Sequence, residues 1–257
     1  MEFQTFLGIA IPFLGTALGA SAVFILKSIA PRAASVLGGF AGGVMMAASV
    51  FSLLLPSVEW SAPLGGLAFL PAAVGFTLGI CFFLLLDRIV PHIHSDGRRE
   101  GGGSLGKSAM LTLAVSMHNL PEGIAVGVVY AWLLAGASEV SAASALALAI
   151  GVGIQNFPEG AIISLPLAAE GVPKGKAFLI GMLSAAVETV GAVLAIALTS
   201  LFLPALPYLL GFAAGAMIFV VVEELIPSAA LDGHTDCATV AFSLGFLIMM
   251  VLDVALG

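Results

Sequence analysis

The chain has 257 residues, of which 60% are hydrophobic and 9% are charged, and its mean hydropathy is +1.17. Because ordinary globular chains carry about 25% charged residues, this composition excludes a soluble domain. The formal net charge is −7, and the eight basic residues form no patch interleaved with aromatic side chains, which excludes nucleic acid as a partner.

Eight apolar runs follow one another along the chain, and each is long enough to cross a bilayer, for which roughly 20 residues suffice. They lie near residues 5–27, 34–56, 66–88, 108–132, 143–168, 175–200, 207–229 and 236–256. The second and the seventh runs are the most interrupted, and the connections are short except near 89–107. The sequence therefore predicts an all-α integral membrane protein with eight transmembrane helices in a single domain, residues 1–257.

The basic residues lie on one side of this eight-span arrangement, in the loops that follow the first, third and fifth spans. They are Lys27, Arg32, Arg88, Arg98, Arg99, Lys107, Lys174 and Lys176. By the positive-inside rule this side is cytoplasmic. We expect a multi-pass protein of the plasma (bacterial inner) membrane, with both termini extracytoplasmic and a flexible, glycine-rich cytoplasmic loop near 89–107.

Two similar hexapeptides lie in the middle of the fourth and fifth spans. They are His118-Asn119-Leu120-Pro121-Glu122-Gly123 and Gln155-Asn156-Phe157-Pro158-Glu159-Gly160. Ionisable side chains at membrane depth cost about 2.5–3.5 kcal/mol each on insertion scales and are usually functional. Their prolines also remove helical hydrogen bonds beside the acids, and such irregular backbone is tolerated at this depth along a cavity.

Helical spacing brings the polar residues of each hexapeptide together. Side chains at positions i and i+4 share a helix face, so His118 and Glu122 can chelate one ion, with Asn119 beside them. Gln155, Asn156 and Glu159 repeat this arrangement on the next, antiparallel span. Imidazole, carboxylate and amide oxygen suit Zn²⁺ and similar first-row divalent cations rather than Cu(I), Mg²⁺ or Ca²⁺. The sequence therefore predicts a metal site between helices four and five.

Further acidic residues lie within or next to the spans. Glu188 is in the middle of the sixth span with no basic residue at that depth, so we expect it to bind metal or to be protonated. Glu223 and Glu224 lie in the inner half of the seventh span, and we expect one of them to face an exit path and the other to be structural or interfacial. Glu59 and Asp253 lie near the outer surface and are expected near an entrance.

Three other residues have both a structural and a functional interpretation. Met46 either packs in the core or lines the path of the ion. His92 and His94, in the loop near 89–107, either receive a metal ion that leaves the path or are simply solvated.

The second and seventh spans contain similar segments, Gly39–Met45 and Gly211–Met217, and each span has a proline near its end, Pro56 or Pro227. These spans run in opposite directions, which indicates inverted repeats with a substrate site at mid-membrane on their interface. The alternative is that the small residues reflect only close helix packing.

At these residues the chain resembles the ZIP (Zrt-/Irt-like) family of divalent-metal transporters, bacterial type, with its HNxPEG and (H/Q)(N/D)xPEG motifs. The resemblance covers the whole length and implies a binuclear centre between spans four and five. A transport site is matched by His118, Glu122, Gln155 and Glu159. An adjacent second site is matched by Asn119, Glu122, Asn156, Glu159 and Glu188, with Glu122 and Glu159 bridging. Gln155 and Asn156 stand where other members have His or Asp.

The resemblance also implies a function. We expect import of Zn²⁺, with Cd²⁺, Fe²⁺ or Mn²⁺ as further substrates, by alternating access in which spans one, four, five and six move against the others. A homodimer in the lipid bilayer, no cofactor and no enzymatic activity are expected. Two alternatives remain open from the residues, namely a membrane-embedded di-metal carboxylate enzyme and a metal-gated channel or sensor.

Overall fold

The structure, a computed structural model, describes residues 2–89, 92–93, 99–100, 107–136, 141–201, 203–230 and 235–256. Its α-helices within these ranges are α1 (Glu2–Ala20), α2 (Pro31–Ala48), α3 (Leu55–Trp60), α4 (Phe69–Ile89), α5 (Lys107–Leu134), α6 (Ala142–Ala169), α7 (Lys174–Ser184), α8 (Ala186–Leu201), α9 (Leu206–Val220), α10 (Ile226–Ala230) and α11 (Thr235–Leu256). Two short strands, β1 (His92–Ile93) and β2 (Arg99–Glu100), pair antiparallel within the predicted loop.

The helices combine into eight spans at the predicted places. Span one is α1 with a 3₁₀ turn, span two is α2 and α3, span three is α4, span four is α5, span five is α6, span six is α7 and α8, span seven is α9 and α10, and span eight is α11. In the described part of the chain, seven spans are long and apolar enough to cross a membrane, and α5 contains the shorter apolar helix Asn119–Leu134. The all-α membrane fold is confirmed.

Local sequence accounts for two of the helix starts. α2 begins at Pro31, whose fixed φ suits the first helical turn. Proline lacks a backbone N–H, which costs nothing here because N–H groups in the first turn have no hydrogen-bond partner within the helix. α6 begins after Ser141, whose hydroxyl accepts a hydrogen bond of 2.9 Å from the backbone N–H of Ser144. These signals set where the two helices begin.

Apolar side chains cover the outside of the bundle. Leu78, Leu198, Val240 and Val251 are each more than half exposed, while the polar hexapeptides lie in the interior. An exposed apolar surface of this extent is unfavourable in water but is the surface that lipid chains solvate. The chain is therefore a multi-pass membrane protein.

Four pairs of helices pack backbone to backbone: α1 with α6, α5 with α8, α2 with α11, and α4 with α9. In each pair, two glycines four residues apart lie against carbonyl oxygens of the partner, where a Cβ atom would collide with those oxygens. These glycines are Gly15 and Gly19, Gly123 and Gly127, Gly39 and Gly43, and Gly75 and Gly79. Hydrocarbon provides no hydrophobic drive between membrane helices, so such close packing holds them together.

The four pairs form two groups. The site unit comprises spans one, four, five and six, and the flanking unit comprises spans two, three, seven and eight. Suppose that spans one, two and three are exchanged with spans six, seven and eight, respectively, and span four with span five. Each of the four helix pairs then becomes another of the four pairs. The contacts within two corresponding pairs also agree. Gly39 of span two lies against the backbone of Ala238 in span eight, and Gly211 of span seven lies against the backbone of Ala72 in span three. The bundle thus has the pairing that inverted repeats require, and the similar segments have matching neighbours.

Three spans depart from simple helices. Spans two and seven each contain a π-helical turn, Ser49–Leu54 and Val221–Leu225, just before the helix with the proline. Span six, predicted as one run, consists of two helices that are separated at Ala185. By contrast, α5 and α6 continue through Pro121 and Pro158, so any loss of hydrogen bonding there is local.

Candidate metal centre

The two hexapeptides meet Glu188 in the interior of the site unit. All of the predicted ligands whose side chains the structure describes are less than 8% exposed: Asn119, Glu122, Gln155, Asn156, Glu159 and Glu188. Polar groups that are buried this deeply at membrane depth require partners, because each unpaired group costs several kcal/mol. The depth and the residue types therefore indicate a binding site rather than a packing interface.

The glycines that follow the two glutamates explain how the site is assembled. Gly123 lies against the backbone carbonyl of Glu188, so that α8 approaches α5 closely enough to place this third acid beside the hexapeptides. Gly160 lies in the same way against the carbonyl of Thr16 in α1. The Pro-Glu-Gly sequence of each hexapeptide thus supplies both the acid and the close contact beside it.

Two amide–carboxylate hydrogen bonds connect α6 to its neighbours. The Gln155 Nε2 atom donates to Glu122 Oε1 at 2.6 Å, and the Asn156 Nδ2 atom donates to Glu188 Oε2 at 2.7 Å. The same Asn156 nitrogen also lies 3.4 Å from the carbonyl oxygen of Pro12 in α1. The two amides of α6 therefore contact every other span of the site unit.

Several oxygen atoms of the buried amides and carboxylates have no hydrogen-bond partner among the described residues. They are Glu122 Oε2, Gln155 Oε1, Asn156 Oδ1, Glu159 Oε2 and Glu188 Oε1, and both polar atoms of Asn119 share this state. Leaving a buried acceptor unsatisfied costs about 1–3 kcal/mol, and more when it is charged. A cation bound by these oxygens would satisfy them together.

His118 belongs to α5, one helical turn before Glu122, but its side chain lies outside the described residues. In the described part of the chain, no three His, Cys, Asp or Glu side chains are grouped closely enough to hold a metal ion by themselves. The described polar groups of the site are amides, on Asn119, Gln155 and Asn156, as well as the carboxylates of Glu122, Glu159 and Glu188.

A separate polar cavity of about 280 Å³ lies between spans two, four, five and eight. Both acids expected near the entrance, Glu59 and Asp253, line it together with Ser52 and Ser144. Ser52 donates a hydrogen bond of 2.6 Å to Asp253 Oδ1. The sequence reasoning missed Ser52. The repeats contained a signal for this residue. Ser52 stands as far after Gly39 in span two as the acidic residue Glu224 stands after Gly211 in span seven, so the two positions correspond.

The other predicted pathway residues lie apart from this cavity. Glu223 is half-buried and Glu224 is buried, and both lie in the π-helical turn of span seven. Met46 is half-buried and packs against the main hydrophobic core, which agrees with its structural interpretation. His92 lies in β1 with its backbone paired to Glu100. The side chain of His92 and all of His94 lie outside the described residues.

Comparison of the sequence with known proteins finds similarity to zinc transporters. A family model described as ZIP Zinc transporter matches residues 94–253. The chain is 37% identical to zinc transporter ZIP11 of Homo sapiens over 339 aligned positions, which cover 99% of this chain and 98% of that protein. It is 39% identical to zinc transporter ZIPB of Bordetella bronchiseptica, covering 98% of this chain and 81% of that protein. It is 36% identical to zinc transporter GufA of Myxococcus xanthus, covering 94% of each.

Proposed function

The chain belongs to the ZIP zinc transporter family, and we propose that it imports Zn²⁺ into the cytoplasm through the centre between α5 and α6. Membership places it among transporters rather than enzymes, so the di-metal enzyme alternative is set aside. The observation that carries the proposal is the group of buried oxygens without partners on Glu122, Gln155, Asn156, Glu159 and Glu188. These oxygens come from three helices, and the residues that carry them are all buried.

The composition of the centre supports a divalent transition metal as substrate. Carboxylate and amide oxygens, together with the imidazole of His118, accept Zn²⁺, and the same set accepts Cd²⁺, Fe²⁺ or Mn²⁺. Glu122, Glu159 and Glu188 supply three negative charges, which nearly balance two dications in a binuclear arrangement. In that arrangement Glu122 and Glu159 bridge the two ions, while Asn119, Asn156 and Glu188 complete the second position.

The division into two units supports alternating access. The glycine-mediated contacts α1–α6 and α5–α8 lie within the site unit, and α2–α11 and α4–α9 lie within the flanking unit. Tightly packed groups move as bodies, because packed interfaces resist continuous deformation. The site unit, which carries all the buried ligands, therefore moves against the flanking unit and exposes the centre to each side in turn.

The loop charges support the direction of transport. Basic residues follow spans one, three and five, and none follows spans two, four or six. The positive-inside rule makes the basic side cytoplasmic and leaves both termini outside, in the plasma membrane. The cavity with Glu59 and Asp253 is then the outer entrance, and Glu223 and Glu224 lie near the exit. We further expect His92 and His94 to bind metal ions as these leave the transport path. The whole chain is expected to form one transporter domain and to assemble as a homodimer.

Competitive metal uptake tests the proposal. The full-length chain is reconstituted in metal-free proteoliposomes, and Zn²⁺ uptake is measured alone and against Cd²⁺, Fe²⁺, Mn²⁺ and Mg²⁺ while ionic current is recorded. We expect saturable Zn²⁺ uptake that Cd²⁺ inhibits and Mg²⁺ does not. Unsaturable flux with a conductance would favour the metal-gated channel instead. Absence of any metal flux would refute the proposal.

A further inference from the structure

We propose that a furrow between α1, α2 and α6 binds one acyl chain of a phospholipid whose anionic head group lies at Lys27 and Lys174. The site is separate from the metal centre and does not depend on which ion the chain transports. Its walls come from both the site unit and the flanking unit, so the bound lipid bridges the two units and stabilises this arrangement of them.

The furrow lies on the outside of the bundle and has a volume of about 560 Å³. This volume is within the range of about 300–1,000 Å³ that is typical of sites for small molecules. α1 and α2 both pack against α6, and the furrow runs between them. The described residues that line it are all apolar, among them Leu14, Leu18, Leu37, Phe40 and Ile154. Such a surface accepts a hydrocarbon chain and no polar ligand.

The length and position of the furrow correspond to one leaflet of the membrane. On α1 it extends from Ile11 to Leu18, which is about 10 Å at a rise of 1.5 Å per residue. Half of a hydrocarbon core of about 30 Å is about 15 Å. At one end of the furrow, Leu18 and Leu37 lie close to the connection between Ala20, where α1 ends, and Pro31, where α2 begins. An acyl chain that enters at this end therefore runs from the membrane surface towards its middle.

The furrow also borders the second hexapeptide. Phe157 and Pro158 line it, and Phe157 is 46% exposed. At the corresponding position of the first hexapeptide, Leu120 is half-buried and packs against the main hydrophobic core. The opening at Phe157 is therefore specific to one half of the bundle and does not follow from the repeat. Because an empty furrow forfeits the dispersion contacts of its walls, a lipid chain that fits it is held more tightly than one on a smooth surface.

Basic residues lie at the end of the furrow that is next to the connection between α1 and α2. Lys27 is exposed in this connection. Lys174, at the start of α7, donates a hydrogen bond of 3.4 Å to the backbone carbonyl oxygen of Phe24 in the same connection. Residues 21–32 and 171–176 contain four basic residues and no acidic one. This end of the furrow therefore attracts a phosphate group.

The charges determine which lipid is preferred. Arg32 is turned towards span eight, where its Nη2 atom lies 3.1 Å from Cys237 Sγ, so the two lysines are the groups that meet the phosphate. Basic residues next to membrane helices attract the anionic lipids of the cytoplasmic leaflet, and the basic side of this chain is the predicted cytoplasmic side. An anionic phospholipid therefore fits both ends of the site, with its chain in the furrow and its head group at the lysines.

A lipid chain in the furrow contacts both units of the bundle. Leu18 and Ile154 belong to the site unit, and Leu37 and Phe40 belong to the flanking unit. A ligand that binds one arrangement of two bodies better than another shifts the equilibrium towards that arrangement. The bound lipid therefore stabilises the units as they stand in this structure, and it stabilises the folded chain against unfolding.

Lipid titration followed by native mass spectrometry tests the proposal. The full-length chain is purified in detergent, stripped of lipid, and titrated with phosphatidylglycerol or with phosphatidylcholine that carries the same two acyl chains. We expect one phosphatidylglycerol per chain to bind with a dissociation constant about tenfold or more below that of phosphatidylcholine, because the lysines attract the lipid with a net negative charge. Equal dissociation constants for the two lipids would overturn the proposal.

Variants of the furrow test where the acyl chain binds. Leu18→Trp fills the furrow from α1 and should weaken binding of the first phosphatidylglycerol about tenfold or more, because the indole takes the space of the chain. Leu198→Trp makes the same change at a similarly exposed position of α8, outside the furrow, and should leave binding unchanged. Leu37→Trp fills the furrow from α2 and keeps the test available if Leu18→Trp does not fold. Unchanged binding in both furrow variants would rule out this site.

Variants of the lysines test recognition of the head group. Lys27→Gln combined with Lys174→Gln should remove the preference for phosphatidylglycerol, while both lipids still bind through their chains. Arg88→Gln, at an exposed position at the end of α4, is the control and should keep the preference. Displacement of phosphatidylglycerol by an equal concentration of glycerol phosphate would reveal a phosphate site that needs no furrow, and it would contradict the proposal.

Thermal unfolding tests the bridge between the units. Phosphatidylglycerol should raise the unfolding midpoint of the wild-type chain and of Leu198→Trp by several degrees more than phosphatidylcholine does, and this difference should vanish in Leu18→Trp. An equal rise in Leu18→Trp would show that the lipid stabilises the chain from another surface and would overturn the bridging role. Loss of dimers in both furrow variants, with lipid binding unchanged, would assign the furrow to a second copy of the chain instead.

Discussion

The Ser52 hydroxyl donates a hydrogen bond of 2.6 Å to the carboxylate of Asp253, joining the π-helical turn of span two to span eight. Both residues belong to the flanking unit, whereas Glu122, Glu159 and Glu188 belong to the site unit. They line a cavity of about 280 Å³ together with the exposed Glu59. A cavity lined by acidic groups raises the local concentration of cations. Under the proposed function, this pair gathers ions before they reach the centre.

Asp253→Asn should therefore impair capture more than turnover. We expect the KM for Zn²⁺ uptake to rise about three- to tenfold, with kcat within about twofold of wild type, since the lost charge acts before the buried centre is reached. Asp236→Asn, the same change at the exposed opposite end of α11, is the matched control and should change neither constant. A fall in kcat at unchanged KM would contradict the assignment of Asp253 to the entrance.

Removal of a central ligand should abolish transport without removing the protein from the membrane. In Glu122→Ala and in His118→Ala we expect Zn²⁺ uptake to fall by about two orders of magnitude or more, because each change removes a proposed metal ligand, and losing even a group that only supports a ligand costs about 10–100-fold in metal affinity or activity. Uptake is compared at equal amounts of inserted protein. Glu170→Ala, at an exposed turn after α6, is the control. Normal uptake by well-expressed Glu122→Ala would disprove the role of this centre.

Glu188→Gln should act on the second metal position only. The neutral isostere keeps the side-chain shape but removes one of three negative charges, while His118, Glu122, Gln155 and Glu159 still enclose the first ion. We expect a changed apparent affinity or metal preference with residual flux, and loss of one of two metal positions in anomalous scattering maps. A single metal position in the wild-type protein that contacts neither Glu188 nor Asn156 would exclude the binuclear arrangement.

The close contact between α1 and α6 should be sensitive to one added methyl group. A Cβ atom at Gly15 would meet the carbonyl oxygen of Gly153, whereas one at Gly175 would meet nothing within 4 Å. Overpacking of this kind costs about 1–3 kcal/mol. We therefore expect Gly15→Ala to lower the thermal unfolding midpoint in detergent by several degrees and Gly175→Ala to leave it unchanged. Equal midpoints for the two variants would show that this contact adapts freely.

Orientation can be measured by labelling from one side. In a chain with Cys81 and Cys237 replaced by Ala, Ser138→Cys and Gly103→Cys are treated in intact cells with an impermeant thiol reagent. The distribution of basic residues predicts that the loop after span four lies outside and the loop after span three inside. We expect Ser138→Cys to react and Gly103→Cys to react only after permeabilisation. Labelling of both in intact cells would contradict the predicted topology.

The sequence by itself determined the eight spans and predicts the central ligands. Runs of apolar residues have to span the bilayer as helices, since hydrocarbon offers no partner for free backbone groups, and this constraint acts locally. The spacing of His118 and Glu122, repeated by Gln155 and Glu159, follows from helix geometry alone. The similarity of the segments Gly39–Met45 and Gly211–Met217 likewise indicates the repeats independently of the helix pairs.

Contacts between distant segments were decided by the tertiary structure. The hydrogen bonds from Gln155 to Glu122 and from Asn156 to Glu188 join residues more than thirty positions apart, and no local periodicity specifies which amide meets which acid. Ser52 was missed for the same reason, because its partner Asp253 lies two hundred positions away. The π-helical turns and the break at Ala185 also arise from packing between spans, where glycine-mediated contacts fix the backbones and local propensity has little influence.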